Sequence, residues 1–122
     1  MNYDDSDADV TEANLMEISR KLAIERFVHD DYIFKQDEEG DKFYIILAGT
    51  VVGLSESSKY YAQGGGVITT DKEVCRLTEG QSFGELALIS GASRSLSMRA
   101  YNGTILISLH KADFLKCFGV RN

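Results

Sequence analysis

The sequence contains no proline and no tryptophan, and its 122 residues include only two cysteines and two histidines. Cys75 and Cys117 lack C-x-x-C spacing and are too few for a disulfide scaffold, so we expect reduced thiols in a cytoplasmic protein. His29 and His110 stand far apart, with no cysteine cluster beside them, and this pattern disfavours a metal site. The longest apolar runs span only a few residues, which predicts no membrane-spanning segment.

Positive charge is also scarce, because 13 Lys and Arg residues stand against 19 Asp and Glu residues, for a net charge of -6. A nucleic-acid or anionic-membrane surface needs a basic face, so both classes of partner are disfavoured. The acidic excess lies at the N-terminus: residues 1–12 hold five acids and no base, whereas residues 13–122 hold 14 acids and 13 bases. We predict an acidic disordered leader over residues 1–9 and one nearly neutral domain over residues 10–122.

The rest of the chain alternates short β-rich runs with turns. Asp9 and Glu12 have capping-box spacing, which predicts a helix over residues 10–23. Residues 55–72 have a low hydrophobic density and contain three consecutive glycines, which favours a long, flexible hairpin connection, although residues 67 and 68 suit a strand. A short helix is expected over residues 85–90 and a C-terminal helix over residues 111–118. Strands are predicted over residues 24–28, 32–35, 43–47, 50–54, 74–77, 96–101 and 104–109.

One segment, residues 83–95, carries the strongest functional pattern. Gly84 at the entry to a short helix leaves free N–H groups that favour an anion, and the Arg94 guanidinium stands close enough in sequence to reach the same anion. The Glu85 carboxylate would suit a sugar hydroxyl, so together they match a ligand with a phosphate and a ribose. A second interpretation remains open, in which this segment is an ordinary strand-to-helix corner and Glu85 and Arg94 form a surface ion pair.

Three separated blocks give the sequence a family resemblance: YIFKQ at residues 32–36, GDKFYIILAG at residues 40–49 and FGELALISGASR at residues 83–94. In this order and spacing they resemble the cyclic nucleotide-binding domain, over about residues 12–119. The resemblance implies a mainly β fold: an eight-stranded β jelly roll or barrel with an N-terminal helix, a short phosphate-cassette helix and a C-terminal helix. The site residues carried over from it, or adjoining the cassette, are Phe83, Gly84, Glu85, Leu86, Ala87, Arg94, Ser95 and Leu96.

The roles that the resemblance implies are specific. Glu85 would accept the ribose 2′-hydroxyl, Arg94 would pair with the cyclic phosphate, and backbone amides would complete the phosphate cage. Those amides belong to Gly84, Leu86, Ala87 and Ser95. The expected ligand is cAMP or cGMP, with no other cofactor.

The sequence departs from the family pattern at several positions. Ser93 replaces the usual proline, and Leu96 replaces a small residue beside the phosphate, where its bulk would either narrow the pocket or pack beneath it. Ser95 replaces an alanine, and by resemblance to cGMP-dependent kinases we hypothesise that its hydroxyl lets the domain accept cGMP. Asp30 and Asp37 stand where the family often has glycine, which aspartate partly imitates in turns.

The leading functional hypothesis is a non-enzymatic sensor domain, excised from a larger protein. It would relay occupancy to an effector domain or subunit outside this chain, such as a kinase or a channel. Movement of the cassette helix would reach the apolar face of the C-terminal helix, formed by Phe114, Leu115 and Phe118. The alternative is a degenerate fold that docks a protein without nucleotide. A metal enzyme on a similar barrel is disfavoured because clustered ligands are missing.

Overall fold

A computed structural model describes residues 12–61 and 63–118. The predicted acidic leader over residues 1–9 lies outside these residues. The N-terminal helix α1 (Glu12–Lys21) ends two residues earlier than expected, because β1 begins at Ala23. The elements that follow are β1 (Ala23–Phe27), β2 (Tyr32–Phe34), β3 (Lys42–Ala48), β4 (Val51–Tyr61), β5 (Val67–Leu77), β6 (Ser82–Phe83), α2 (Glu85–Ser90), β7 (Ser97–Ala100), β8 (Thr104–His110) and α3 (Lys111–Phe118).

The eight strands found within residues 12–61 and 63–118 form two antiparallel sheets of four strands each. One sheet has the order β1-β8-β3-β6 and the other the order β2-β7-β4-β5. Side chains from both sheets meet in one apolar core, so the sheets pack face to face. The mainly β fold with flanking helices is confirmed, whereas strand pairing in the described residues gives two sheets and does not confirm a closed barrel. The core residues are Tyr44, Ile46, Val51, Phe83, Met98 and Leu106.

The expected hairpin is confirmed and residues 67 and 68 lie in a strand, but the predicted connection over residues 55–72 is wrong in extent, because most of those residues belong to the two strands. Strands β4 and β5 pair continuously from Val51 opposite Leu77 to Tyr61 opposite Val67, with two bulges on the way. The outer part of this ribbon includes exposed positions such as Glu56 and Asp71. Its low hydrophobic density therefore reflects exposure to solvent, since ladder hydrogen bonds do not require apolar side chains. The short strand β6 was also missed, because two residues carry no periodic pattern.

The helices pack outside the sheets around a second apolar cluster. Leu88 of α2, Leu109 of β8 and Phe114 of α3 are buried together, and Ile18 of α1 packs against them. The predicted apolar face of α3 is only partly confirmed, because Phe114 is buried whereas Leu115 and Phe118 are exposed. Helix α2 therefore contacts α3 through buried side chains. Among the described residues, no helix is both long and apolar enough to cross a membrane.

Candidate functional site

A cavity of about 290 Å³ opens between α2 and the β2-β7-β4-β5 sheet. Its volume lies at the lower end of the range for small-molecule pockets. The structure brings all eight sequence-predicted site residues to the wall of this one cavity. They are Phe83, Gly84, Glu85, Leu86, Ala87, Arg94, Ser95 and Leu96.

The first wall is the turn from β6 into α2. Gly84 precedes the helix with a φ of 96°, a left-handed conformation that favours glycine, and no side chain caps the helix start. A Cβ on Gly84 would also lie 3.1 Å from Nη1 of Arg94. This position therefore requires glycine both for its backbone angle and for the close approach of Arg94. The helix ends at Ser90 and is capped by Gly91, whose N–H donates to the carbonyl of Ala87 at 3.0 Å.

Arg94 lies at the centre of the site and is almost fully buried, with 3% of its surface exposed. Its Nη1 donates to the Gly84 carbonyl at 2.6 Å and its Nη2 donates to the Lys42 carbonyl at 2.7 Å. The guanidinium carbon lies 3.8 Å from the centre of the Phe34 ring, so a cation–π contact supports it from one side. The interpretation of Arg94 and Glu85 as a surface ion pair is wrong, since Arg94 is buried and its donors point to backbone carbonyls.

The electrostatics of Arg94 favour an anion. Burial lowers the pKa of its guanidinium, and the negative groups around it, Tyr44 when ionised and then Asp41, Glu38 and Glu85, oppose that shift. An arginine stays protonated at neutral pH in proteins, so the cavity wall carries a full positive charge. The buried Nε finds no hydrogen-bond partner in the described part of the chain. A buried cation without a paired carboxylate is costly, and an incoming anion would relieve that cost.

Glu85, the other charged residue of the cavity, is half-buried at the first position of α2. Within residues 12–61 and 63–118 its carboxylate makes no hydrogen bond or ion pair. It is therefore available to accept a hydrogen bond from a ligand hydroxyl. Ser95, by contrast, is exposed at the rim of the same cavity.

The loop between β2 and β3 holds Arg94 in place. The Asp37 N–H donates to the Arg94 carbonyl and the Arg94 N–H donates to the Glu38 carbonyl, both at 2.8 Å. Gly40 lies against the site, because a Cβ on it would be 2.8 Å from Cβ of Ala87 and 3.2 Å from Cζ of Arg94. Glycine at position 40 is therefore required by the close approach of Ala87 and Arg94.

Two aspartates fill turn positions that the family often gives to glycine. Asp30 has a φ of 71° and Asp37 a φ of 75°, so both adopt the left-handed conformation that the sequence suggested they imitate. The backbone geometry of these turns is therefore kept without glycine. In the case of Asp37, this keeps the loop in place behind Arg94.

Sequence reasoning missed the apolar part of the cavity wall. Phe34 of β2, Cys75 and Leu77 of β5, and Met98 of β7 line the cavity beside Leu96. They come from three strands that are distant in sequence, so only the strand pairing brings them together. The one available signal was the spacing of Cys75 and Leu77, since residues two apart on a strand share a face.

Neither histidine lies at the cavity. The ring of His29 lies 3.2 Å from the Asp30 carboxylate, and Nδ1 of His110 accepts a hydrogen bond from the N–H of Ala112. Across the described ranges, no three His, Cys, Asp or Glu side chains are grouped as a metal ion would require.

Comparison with known proteins points to one family. The family described as "Cyclic nucleotide-binding domain" matches residues 24–119. A cAMP-dependent protein kinase regulatory subunit of Dictyostelium discoideum is 40% identical over 84 residues, which cover 69% of this chain and 23% of that protein. A cGMP-dependent protein kinase of Plasmodium berghei is 33% identical over 97 residues, which cover 79% of this chain and 10% of that protein.

A solved structure gives the same result for the fold. The regulatory domain of Toxoplasma gondii PKA, crystallised with cAMP, superposes with a TM-score of 0.74 at 26% identity. The match covers 90% of this chain and 39% of that one. The chain spans less than a quarter of the length of the two curated relatives above.

Proposed function

The chain belongs to the cyclic nucleotide-binding domain family, and we propose that its cavity binds cAMP or cGMP as a regulatory sensor. The observation that carries the proposal is Arg94, a buried cation on the cavity wall that pairs with no carboxylate among the residues the structure describes. A cyclic phosphate is a compact monoanion that would supply the missing counter-charge. The half-buried Glu85 on the same wall adds an acceptor for a ribose hydroxyl.

The roles of the remaining site residues follow from this placement. The phosphate would lie between the Arg94 guanidinium and the amides of Gly84, Leu86, Ala87 and Ser95, as the family resemblance implies. The base would then extend along the apolar wall that sequence reasoning missed. Phe83 lies beneath the cassette, where its ring stacks 5.2 Å from that of Tyr44 and fixes the start of the turn.

We propose that occupancy is relayed through α2. Leu88 on the inner side of α2 is buried with Phe114 of α3, so a shift of α2 toward a bound phosphate would disturb the packing of α3. Helix α3 is joined in turn to α1 by an ion pair of 3.1 Å between Lys116 and Glu17. Both flanking helices could therefore pass the signal to a kinase, a channel or another effector outside this chain.

The proposed role is non-enzymatic binding, because the family matched is a binding domain and the cavity offers a cation, a carboxylate and apolar contacts. An intracellular location is proposed with it, in keeping with the free thiol of Cys75 at the cavity wall. The competing hypothesis of a protein-docking fold without nucleotide rests on Leu96. Its side chain is half-buried in the cavity wall, and a volume of about 290 Å³ remains beside it.

A ligand screen tests the proposal. The purified chain is heated with cAMP, with cGMP, and with adenosine and guanosine as controls that lack the phosphate. A ligand at a hundred times its dissociation constant stabilises the folded state by about 2.7 kcal/mol, so a cyclic nucleotide should raise the melting temperature clearly. We expect a shift with at least one cyclic nucleotide and a smaller one with its nucleoside. No shift with either cyclic nucleotide at millimolar concentration would favour the docking hypothesis.

A further inference from the structure

One position on the apolar wall of the cavity, on strand β4, has no side chain. Gly53 of β4 pairs with Cys75 of β5 on one side and with Met98 of β7 on the other. Residues directly opposite each other on neighbouring strands direct their side chains to the same face of a sheet. Since Cys75 and Met98 both line the cavity, position 53 faces the cavity too, but it contributes no side chain.

The neighbours of Gly53 occupy the space that a side chain would fill. A Cβ on Gly53 would lie 2.6 Å from Sγ of Cys75, and 3.3 Å from both Cδ1 of Leu96 and Sδ of Met98. The first distance is shorter than any two such atoms tolerate, so the thiol would have to move. The backbone at Gly53 does not require glycine, because its φ lies outside the left-handed region. Glycine is needed here for space alone.

This packing explains how the cavity accommodates Leu96. The bulky side chain that departs from the family pattern lies against the empty position at residue 53, beside Cys75. The large side chain of Leu96 thus packs where a side chain at position 53 would otherwise lie. A side chain added at position 53 would displace the Cys75 thiol or the Leu96 side chain. The open volume beside both of them is the cavity, so the displaced side chain would move into the cavity and reduce its volume.

We propose that Gly53 sets the size of the base that the cavity accepts. The inference rests on the proposed function, in which Arg94 and the cassette hold the phosphate. Ribose and phosphate are polar, so the base is the part of the nucleotide that packs on the wall of Cys75, Leu96 and Met98. With Gly53 the wall leaves room for a purine, and a side chain at position 53 reduces that room while leaving the phosphate end unchanged.

The test compares Gly53→Ala with Gly66→Ala, a matched control whose added Cβ would meet nothing within 4 Å. Dissociation constants are measured for cAMP, cGMP and the smaller pyrimidine nucleotide cCMP, with thermal unfolding as the check that each variant is folded. One methyl group in a fitted pocket changes affinity by about tenfold or more. We expect Gly53→Ala to lose about that factor for cAMP and cGMP and clearly less for cCMP. Gly66→Ala should bind like the wild type.

A double variant adds a methyl group at position 53 and removes side-chain volume from the neighbouring position 75. Cys75→Ala removes the thiol that the new methyl group would strike, so Gly53→Ala combined with Cys75→Ala should bind cAMP more tightly than Gly53→Ala alone. If Gly53→Ala alone does not fold, this double variant should still fold and bind. A double variant that folds without recovering affinity overturns the inference.

The remaining outcomes separate this inference from the proposed function. A wild type that binds neither cAMP nor cGMP overturns both. If the wild type binds but Gly53→Ala binds equally well, only the proposed role of Gly53 is overturned. The same holds if Gly53→Ala loses as much affinity for cCMP as for cAMP.

Discussion

Replacing Arg94 by alanine is the most direct test of how the cavity would hold a phosphate. A hydrogen bond to a charged group contributes about 1.5 to 3 kcal/mol, which corresponds to roughly a tenfold to hundredfold change in dissociation constant. Loss of the guanidinium should therefore weaken cAMP or cGMP binding by that factor. It also leaves the carbonyls of Gly84 and Lys42 without their donors at 2.6 and 2.7 Å, so the variant should be less stable as well.

Binding and stability must therefore be measured separately. Isothermal titration calorimetry is run at a temperature where circular dichroism shows each variant to be folded. Arg99→Ala is the matched control, because Arg99 is a partly buried arginine of β7 whose partner is Asp30 and which does not line the cavity. Equal dissociation constants for wild type and Arg94→Ala would refute the phosphate role. If Arg99→Ala lost as much affinity as Arg94→Ala, the loss would reflect a disturbed fold and not a missing phosphate contact.

Three further predictions address single interactions. Glu85→Gln should weaken cAMP binding but leave the binding of 2′-deoxy-cAMP unchanged, and calorimetry that finds the same loss for both ligands would exclude the ribose contact. Ser95→Ala should lower affinity for cGMP and not for cAMP, so an unchanged preference contradicts a guanine contact. Burial works against ionisation of Glu25, yet hydrogen bonds from Ser108 and Lys42 lower its pKa overall. Its contribution to stability is therefore present above about pH 4.3 and is lost as the pH falls further. The free energy of unfolding of Glu25→Gln, measured in urea, should depend less on pH than that of the wild type.

The sequence was most informative where local pattern decides structure. The run from Phe83 to Ser90 contains its own turn glycine, its own helix and an apolar inner side, so both the cassette and its boundaries could be predicted. The same is true of Asp30 and Asp37, whose side chains suit turns and whose φ angles are positive as expected. Local chemistry indicated Gly84, Glu85 and Arg94, the family resemblance supplied the rest of the eight proposed site residues, and all eight line one cavity.

Features that depend on long-range pairing could not be predicted. Cys75 and Met98 belong to strands that flank β4, and nothing near either residue in sequence indicates that they face one another across Gly53. The outer part of the ribbon formed by β4 and β5 was missed for a related reason, since its exposed polar residues, such as Glu56 and Asp71, resemble those of a loop. The burial of Arg94 is likewise set by Phe34 and Lys42, from elements some fifty to sixty positions away in the chain.

The net negative charge of the chain does not oppose the proposed anion site, because the relevant positive charge is local and buried. At physiological ionic strength exposed charges are screened beyond about 8 Å, so the net charge of -6 has little effect on a group enclosed by the cassette. The carboxylates nearest Arg94, those of Asp41, Glu38 and Glu85, do not pair with it, and its terminal nitrogens bond to neutral carbonyls instead. A phosphate would therefore compete with carbonyl acceptors for these donors and would not have to displace a carboxylate. A carbonyl acceptor is neutral, whereas a phosphate would add an opposite formal charge and a bidentate acceptor, so this exchange favours the ligand.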